Sequence, residues 1–315
     1  MLALPDTDLV RDDRPGFRPY AVEVARITPL TPHFTRVTFT GPLVRFFGTD
    51  LRDQRIKLMF PLPGVGLSDI GIDDEDSIRA GEWYARWREL PHEARNPIRT
   101  YTIRAVRPEV SEIDVDFVAH GDGGPAAHWL LTAAPGSALT IVGPDARSLN
   151  SAIGIDFHPG TATEVLLAGD ATAAPAICNI IESLAPGIRA CAFIEVDSPA
   201  DELPLESTPD VTVTWLSKTD GQGLEPTVRR WVSDNRVAIA PALSAARQVV
   251  EDVDVDVELI WDSPDTVDGN SFYAWLAGES AMIKSLRRFL VTETGIDRGR
   301  VAFMGYWREG KSEAN

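Results

Sequence analysis

The chain has 315 residues, 44% of them hydrophobic and 24% charged, a composition that suits two ordinary folded domains and excludes a largely disordered protein. Its formal net charge of −17 repels nucleic-acid phosphates and anionic membrane surfaces, so neither is expected as a general partner. The first residues, with Asp6, Asp8, Arg11, Asp12, Asp13 and Arg14, lack the apolar stretch of a secretory signal, and no later run reaches the ~20 apolar residues of a membrane span, so a cytoplasmic protein is expected, and a monomer.

The first half alternates apolar and polar residues with the period of a strand. Val22, Val24 and Ile27 are followed by Phe34, Val37 and Phe39, then Ile56, Leu58 and Phe60, then Ile113, Val115 and Phe117. The pattern predicts an antiparallel Greek-key barrel of about six strands. An acidic excursion from about Pro63 to Pro97, containing Asp73, Asp74, Glu75 and Asp76, interrupts it. A loop of that length is functional or mobile, and its acidic run reads as solvated surface.

Arg99-Thr100-Tyr101-Thr102 closes that excursion. On an extended segment Arg99 and Tyr101 point one way and Thr102 the other. A guanidinium for a phosphate, a phenol face and a hydroxyl suit a flavin, and the same four residues also suit a polar strand end with an anchoring tyrosine. Next come His120-Gly121-Asp122-Gly123-Gly124-Pro125-Ala126-Ala127. The glycines allow close backbone approach, so the turn either presents amides to a pyrophosphate at a helix start or is a plain turn.

After Pro144 the period changes, and Asn150, Gly154, Pro159 and Gly160 mark a linker within 144–162. Val165 to Gly169 is an all-apolar strand, after which Pro175 opens a helix with Ile177, Ile180, Ile181 and Leu184 on one face. Further strands at Ala192–Val196, Val211–Leu216, Phe272–Ala277 and Val301–Phe303, with helices between them, predict a parallel-sheet α/β domain. Domains at 17–146 and 160–310 follow. Residues 241–269, rich in Asp and Val, read as an insertion. Gly169-Asp170-Ala171-Thr172 lies at a strand's carboxyl end ahead of a helix, where open α/β sheets bind ligands, and Gly278-Glu279-Ser280 has the matching place on a later strand, with Ser280 as an ordinary helix cap otherwise. Cys178 and Cys191 have no metal-ligand spacing and read as reduced thiols in apolar surroundings.

Taken in order, the Arg99 to Thr102 segment, the His120 to Ala127 turn, Leu167-Ala168-Gly169-Asp170-Ala171-Thr172-Ala173-Ala174-Pro175, Ala277-Gly278-Glu279-Ser280 and Gly305-Tyr306-Trp307-Arg308 resemble one family. The chain is similar, from about Arg18 to about Gly310, to the siderophore-interacting proteins, flavin-dependent ferric-siderophore reductases of the ferredoxin-reductase-like superfamily. The resemblance implies a FAD-binding barrel followed by a nicotinamide-dinucleotide domain, and reduction of ferric siderophores with electrons passed from NADPH or NADH through FAD. It assigns FAD to Arg99, Tyr101, Thr102, His120, Gly121, Gly124, Pro125 and Ala126, with Tyr101 and Thr102 at the reacting ring. It assigns the nicotinamide dinucleotide to Asp170, Thr172, Gly278 and Glu279, with Lys218 at the 2′-phosphate of NADPH, and it gathers Lys57, His128 and Arg308 around an anionic ferric siderophore. No metal site of the protein's own is implied.

The chain departs from the family at Ala127, where a serine commonly ends the turn, and at Ala171, where glutamate is common. His128 and Lys218 stand where arginine is commoner. Rival readings on the same scaffold are a flavin or ferredoxin-linked reductase, with ferredoxin as donor, and a siderophore-binding protein without turnover.

Overall fold

The alternation of the first half builds strands. The computed structural model describes residues 9–118, 124–248, 250, 260–264, 269 and 271–310, and the chain divides into two units between Ile155 and Asp156. The first contains β1 (Phe17–Pro29), β2 (Phe34–Thr40), β3 (Arg55–Met59), α1 (Glu75–Ala80), α2 (Trp83–Glu89), β4 (Ile98–Thr102), β5 (Ala105–Arg107), β6 (Glu112–Val118), α3 (Pro125–Thr132) and β7 (Ala138–Pro144). Its strands form one antiparallel sheet in the order β4-β3-β7-β1-β2-β6-β5. The sheet curls around Tyr20, Phe39, Ile56, Leu58, Phe117 and Ile141, all buried.

The expected antiparallel barrel of about six strands is a half-barrel of seven, with β4 and β5 at its edges. The chain steps across the seam at Ile103 and Arg104 rather than pairing along it, because β5 is only three residues long before the turn at Pro108–Val110. Two backbone bonds stitch the crossing: Ile103 N–H donates to Gln54 O at 3.2 Å and Arg104 N–H to Asp114 O at 2.9 Å.

The excursion after Pro63 holds α1 and α2 instead of an open loop. Part of its acidic run is structural. Asp74 caps α1 by accepting from Ser77 N–H, and Glu75 pairs with the buried Arg18 guanidinium at 3.1 Å. Trp87 packs with Met59 and Ile70 in a small core of its own and donates Nε1–H to Asn96 O.

The second unit contains β8 (Glu164–Asp170), α4 (Ala174–Ser183), β9 (Arg189–Val196), β10 (Val211–Ser217), α5 (Leu224–Asp234), α6 (Arg236–Ile239), β11 (Trp261–Asp262), β12 (Phe272–Glu279), α7 (Ser280–Arg287) and β13 (Val301–Trp307). The sheet order is β10-β9-β8-β12-β13-β11. Every described pairing is parallel except β11 with β13, so the sheet is mixed at one edge. That edge strand comes from the segment read as an insertion, and Trp261 holds it by stacking on Tyr306 at 5.8 Å and donating Nε1–H to Asp156. Strand order reverses between β8 and β12, which puts the topological switch point at their carboxyl ends.

Pro175 lies in the first turn of α4, whose Ile177, Ile180 and Ile181 are buried. Neither cysteine is in a disulfide, and burial pushes the Cys191 thiol up to about 11. Among the described residues no helix is long and apolar enough to cross a membrane.

Candidate active site

In the first unit the site is built on the β3–β4 ribbon. Register pairs Ile56 with Tyr101, Lys57 with Thr100 and Leu58 with Arg99. Directly opposed residues share a face. Tyr101 and Arg99 therefore lie on the side of the buried Ile56 and Leu58, while Lys57, Thr100 and the buried Thr102 lie on the other. Lys57 Nζ donates to Thr100 Oγ1 at 2.6 Å, which fixes the ammonium against the strand. Arg99 Nη1 donates to Ile98 O at 2.7 Å.

Tyr101 is the first member of an aromatic chain. Its ring meets Phe117 at 4.7 Å, Phe117 stacks on Trp129 of α3 at 5.8 Å, and Trp129 also contacts Phe39 and Phe60. Rigid buried rings thus set the position of α3 relative to β4. At its N-terminus α3 has Gly124 as N-cap with no side-chain bond and Pro125 in its first turn. A Cβ built on Gly124 would meet nothing within 4 Å among the described residues, so the N-cap backbone is not packed against there. Ala126 and Ala127 are half-buried there and His128 is exposed. His120 and Gly121 lie outside the described residues.

In the second unit the strand ends at the switch point converge on one carboxylate. Asp170, only 6% exposed, accepts from Thr172 N–H at 2.9 Å and Thr172 Oγ1 at 2.5 Å on one oxygen, and from Glu279 N–H at 2.8 Å and Trp307 Nε1–H at 2.7 Å on the other. The turn after β8, the end of β12 and the end of β13 are thereby held together. Gly278, at φ 152°, leaves the room this needs, since a Cβ there would stand 2.7 Å from Asp170 Oδ2.

The helix cap beside it differs from expectation. Glu279 caps α7, accepting from Ala281 N–H at 2.7 Å and Met282 N–H at 3.0 Å, because its carboxylate reaches two first-turn amides at the positive end of the helix dipole. Ser280 is fully buried and donates to Trp307 O at 2.9 Å. Ala171 is 4% exposed, so the position where the family commonly has glutamate is closed to solvent.

The structure thus brings Asp170, Thr172, Gly278 and Glu279 to one point, with Arg308 next in chain to Trp307. Arg308 Nε is buried without a hydrogen-bond partner among the described residues. Lys218 lies two strands away, just past β10, where its Nζ donates to Asp197 Oδ1 at 2.9 Å. Partial burial pulls that ammonium down, but the hydrogen bond and charge of Asp197, helped by Glu195 and Asp170, outweigh it and hold the pKa above that of a free lysine. A groove of about 430 Å3 is lined by Leu216 and Gln222, which precede and follow Lys218 in the chain, with Phe193, Thr214, Pro226 and Arg230; Lys218 and Asp197 do not line it. Lys57 and His128 belong to the first unit and Arg308 to the second.

Two functional-looking residues escaped the sequence reading. Nothing local in the sequence shows that the Trp307 indole meets Asp170. Asp197 has a detectable signal, an acidic residue directly after an apolar strand and one strand beyond the Gly169–Thr172 turn.

Comparison with known proteins agrees with this architecture. Residues 23–148 match the siderophore-interacting FAD-binding domain and residues 162–310 match the siderophore-interacting protein family. The chain is 27% identical to ferric vibriobactin reductase ViuB of Vibrio cholerae over 94% of its own length and 91% of that protein. It is 31% identical to an uncharacterized protein of Mycobacterium tuberculosis, over 93% of this chain and 92% of the other. The crystal structure of the siderophore-interacting protein SipS from Aeromonas hydrophila superposes with a TM-score of 0.62 at 27% identity, covering 95% of each chain. The chain belongs to the siderophore-interacting protein family and carries that family's FAD-binding domain in its first half.

Proposed function

We propose that this protein reduces ferric siderophores to release ferrous iron, with residues 17–146 as the FAD-binding domain and residues 160–310 as the domain that receives NADH or NADPH. The observation that carries this reading is the likeness to ferric vibriobactin reductase along 94% of the chain. The residues present fit both dinucleotides. In the first unit a helix start with a glycine N-cap and no side-chain cap bond suits a pyrophosphate. In the second, an apolar parallel strand ends in a tight turn before α4 at the switch point.

FAD would be held by the Arg99 guanidinium, the Tyr101 ring and the amides after Gly124, with Thr102 at the reacting edge. When bound, it supplies the exchange between a two-electron hydride donor and a one-electron acceptor. The chain's own contribution is orientation. Phe117 and Trp129 fix the angle between the Tyr101 ring and α3, and Asp170 fixes the turn against which the nicotinamide dinucleotide would lie, with Thr172 and the Gly278–Glu279 backbone beside it. Lys57, His128 and Arg308 would meet the anionic ferric complex, and the unpartnered Arg308 Nε supports a ligand contact there. Iron leaves on reduction because hard oxygen donors hold the smaller, more highly charged ferric ion more tightly than the ferrous ion.

The test is spectroscopic. Purified protein loaded with FAD should show flavin absorbance that bleaches under anaerobic NADH or NADPH and recovers on adding a ferric siderophore while a ferrous chelator colours. Failure to retain FAD overturns the assignment of the first unit. Bleaching without ferrous iron overturns the substrate.

A further inference from the structure

By the family resemblance, Lys218 stands where a basic side chain would meet the 2′-phosphate of NADPH. In the structure that lysine already has a partner. Its Nζ donates to Asp197 Oδ1 at 2.9 Å, with the two side chains 49% and 34% exposed. Asp197 follows β9 directly, and β9 is the strand that pairs with β8 on the side away from β12. In open sheets that bind a dinucleotide at the switch point, a carboxylate at this place accepts from the ribose 2′-hydroxyl, whereas a basic residue there accommodates a 2′-phosphate. This chain has both, joined to each other.

Charge decides between the two roles. A phosphate monoester carries about −1.5 to −2 at neutral pH, so to reach the ammonium it must displace the Asp197 carboxylate or lie against it. Two more carboxylates, Glu195 and Asp170, act on the same ammonium. Neither is free to swing away, since Glu195 accepts from Leu224 N–H at 2.8 Å and Asp170 is held by four donors. Three fixed or paired carboxylates outnumber one ammonium. A ribose hydroxyl meets no such penalty: it is neutral, it donates to the remaining lone pairs of Asp197, and Lys218 keeps two further N–H groups for its oxygen. The groove of about 430 Å3 flanked by Leu216 and Gln222, on either side of Lys218 in the chain, is large enough for a nucleoside.

We propose that Asp197 is a specificity-determining residue that reserves this site for the unphosphorylated ribose of NADH, with Lys218 serving as its counter-ion and the 2′-phosphate of NADPH excluded. This rests on the reading of the second unit as a nicotinamide-dinucleotide domain. The repulsive element is Asp197, and exclusion by an unfavourable charge contact is a common source of specificity.

The experiment is equilibrium titration calorimetry of the full-length, FAD-loaded protein with two redox-inert probes, ADP-ribose and 2′-phospho-ADP-ribose. The native protein should bind ADP-ribose more tightly. Asp197→Asn should shift the affinity ratio toward the phosphorylated probe by about tenfold or more, since one unit charge near a surface phosphate is removed and Lys218 is released. Asp197→Ser should do the same, and adding Lys218→Met to Asp197→Asn should cancel the gain. A native preference for 2′-phospho-ADP-ribose overturns the proposal, whether the phosphate is taken by Lys218 or by Arg230 of α5. So does an unchanged ratio in both Asp197 variants while both probes bind. Binding of neither probe by any of the proteins overturns the dinucleotide reading of the domain and the proposal with it.

Discussion

Asp170 shows how one side chain can tie three strand ends together. A carboxylate offers about four acceptor positions, and all four are taken by Thr172, Glu279 and Trp307. Buried at 6% exposure with no cation bonded to it among the described residues, it is stable because every lone pair is satisfied. Truncation is therefore costly. Asp170→Ala leaves four donors unpaired and should destabilise the second unit by about 3 kcal/mol or more, whereas Trp307→Phe removes one charge-assisted bond and should cost about 1.5 kcal/mol. Urea denaturation of both variants and of the double variant checks this. The double variant should lose clearly less than the sum, because the Trp307 bond is counted in each single change. Strict additivity would mean that Trp307 is held by its packing and not by Asp170.

At the scale of an element, the outer face of the half-barrel is a ladder of charges that the core alternation requires. Each inward Val37, Phe39, Ile113 or Val115 puts its neighbours outward, and register sets Arg36 opposite Asp116 and Thr38 opposite Asp114. Arg107 of β5 closes the ladder with a two-point grip on Asp114 at 2.6 and 2.7 Å and a bond to Glu112 at 3.1 Å, while Arg26 grips the same Glu112. Burial raises the Asp114 pKa, but the bonds from Arg107 and Thr38 outweigh it and hold the group below the usual carboxylate range; Glu112 is lowered by the Arg26 bond above all and by Arg107. Groups with depressed folded pKa values stabilise above the unfolded range and lose that contribution as pH falls through the folded values. Arg107→Gln should therefore cost about 2 kcal/mol at neutral pH, and the gap from the native protein should shrink in acid, as pH falls below the usual carboxylate range and through the depressed folded values of both groups. Urea curves at the two pH values read this directly, and a gap that persists in acid would assign the loss to packing of the Arg107 stem. The same element shows what was legible in the sequence. Period-two alternation marked the strands of the half-barrel, and the apolar runs at Val165–Gly169 and Phe272–Ala277 marked the parallel ones, because burial of a face imposes a period. The length of β5, the capped helices after Pro63 and the edge strand at Trp261 were not legible, since caps and two-residue pairings depend on partners distant in the chain. Of the site, Arg99, Tyr101, Asp170 and Gly278 were visible as local motifs. The Asp197–Lys218 pair was not, because it exists only once β10 lies parallel to β9 with Ser217 opposite Val196.

For the whole molecule the governing quantity is net charge. At −17 the protein repels an anionic ferric complex at long range, while Lys57, held against Thr100, offers attraction only close in. The two act over different distances, so salt separates them: the Debye length falls from about 30 Å at 0.01 M to about 8 Å at 0.15 M, which removes the far repulsion before the contact attraction. With donor saturating, kcat/KM for an anionic ferric siderophore should rise across that range, and kcat/KM for a neutral one should stay flat. Lys57→Ala, which leaves the repulsion and deletes the attraction, should lower kcat/KM for the anionic complex more than for the neutral one and steepen its rise with salt. A native rate that falls with salt would mean that the local basic groups dominate the approach and that the overall charge is irrelevant to capture. Equal losses for the two complexes in Lys57→Ala would show that Lys57 supports the β3–β4 ribbon through Thr100 and does not meet the substrate's charge.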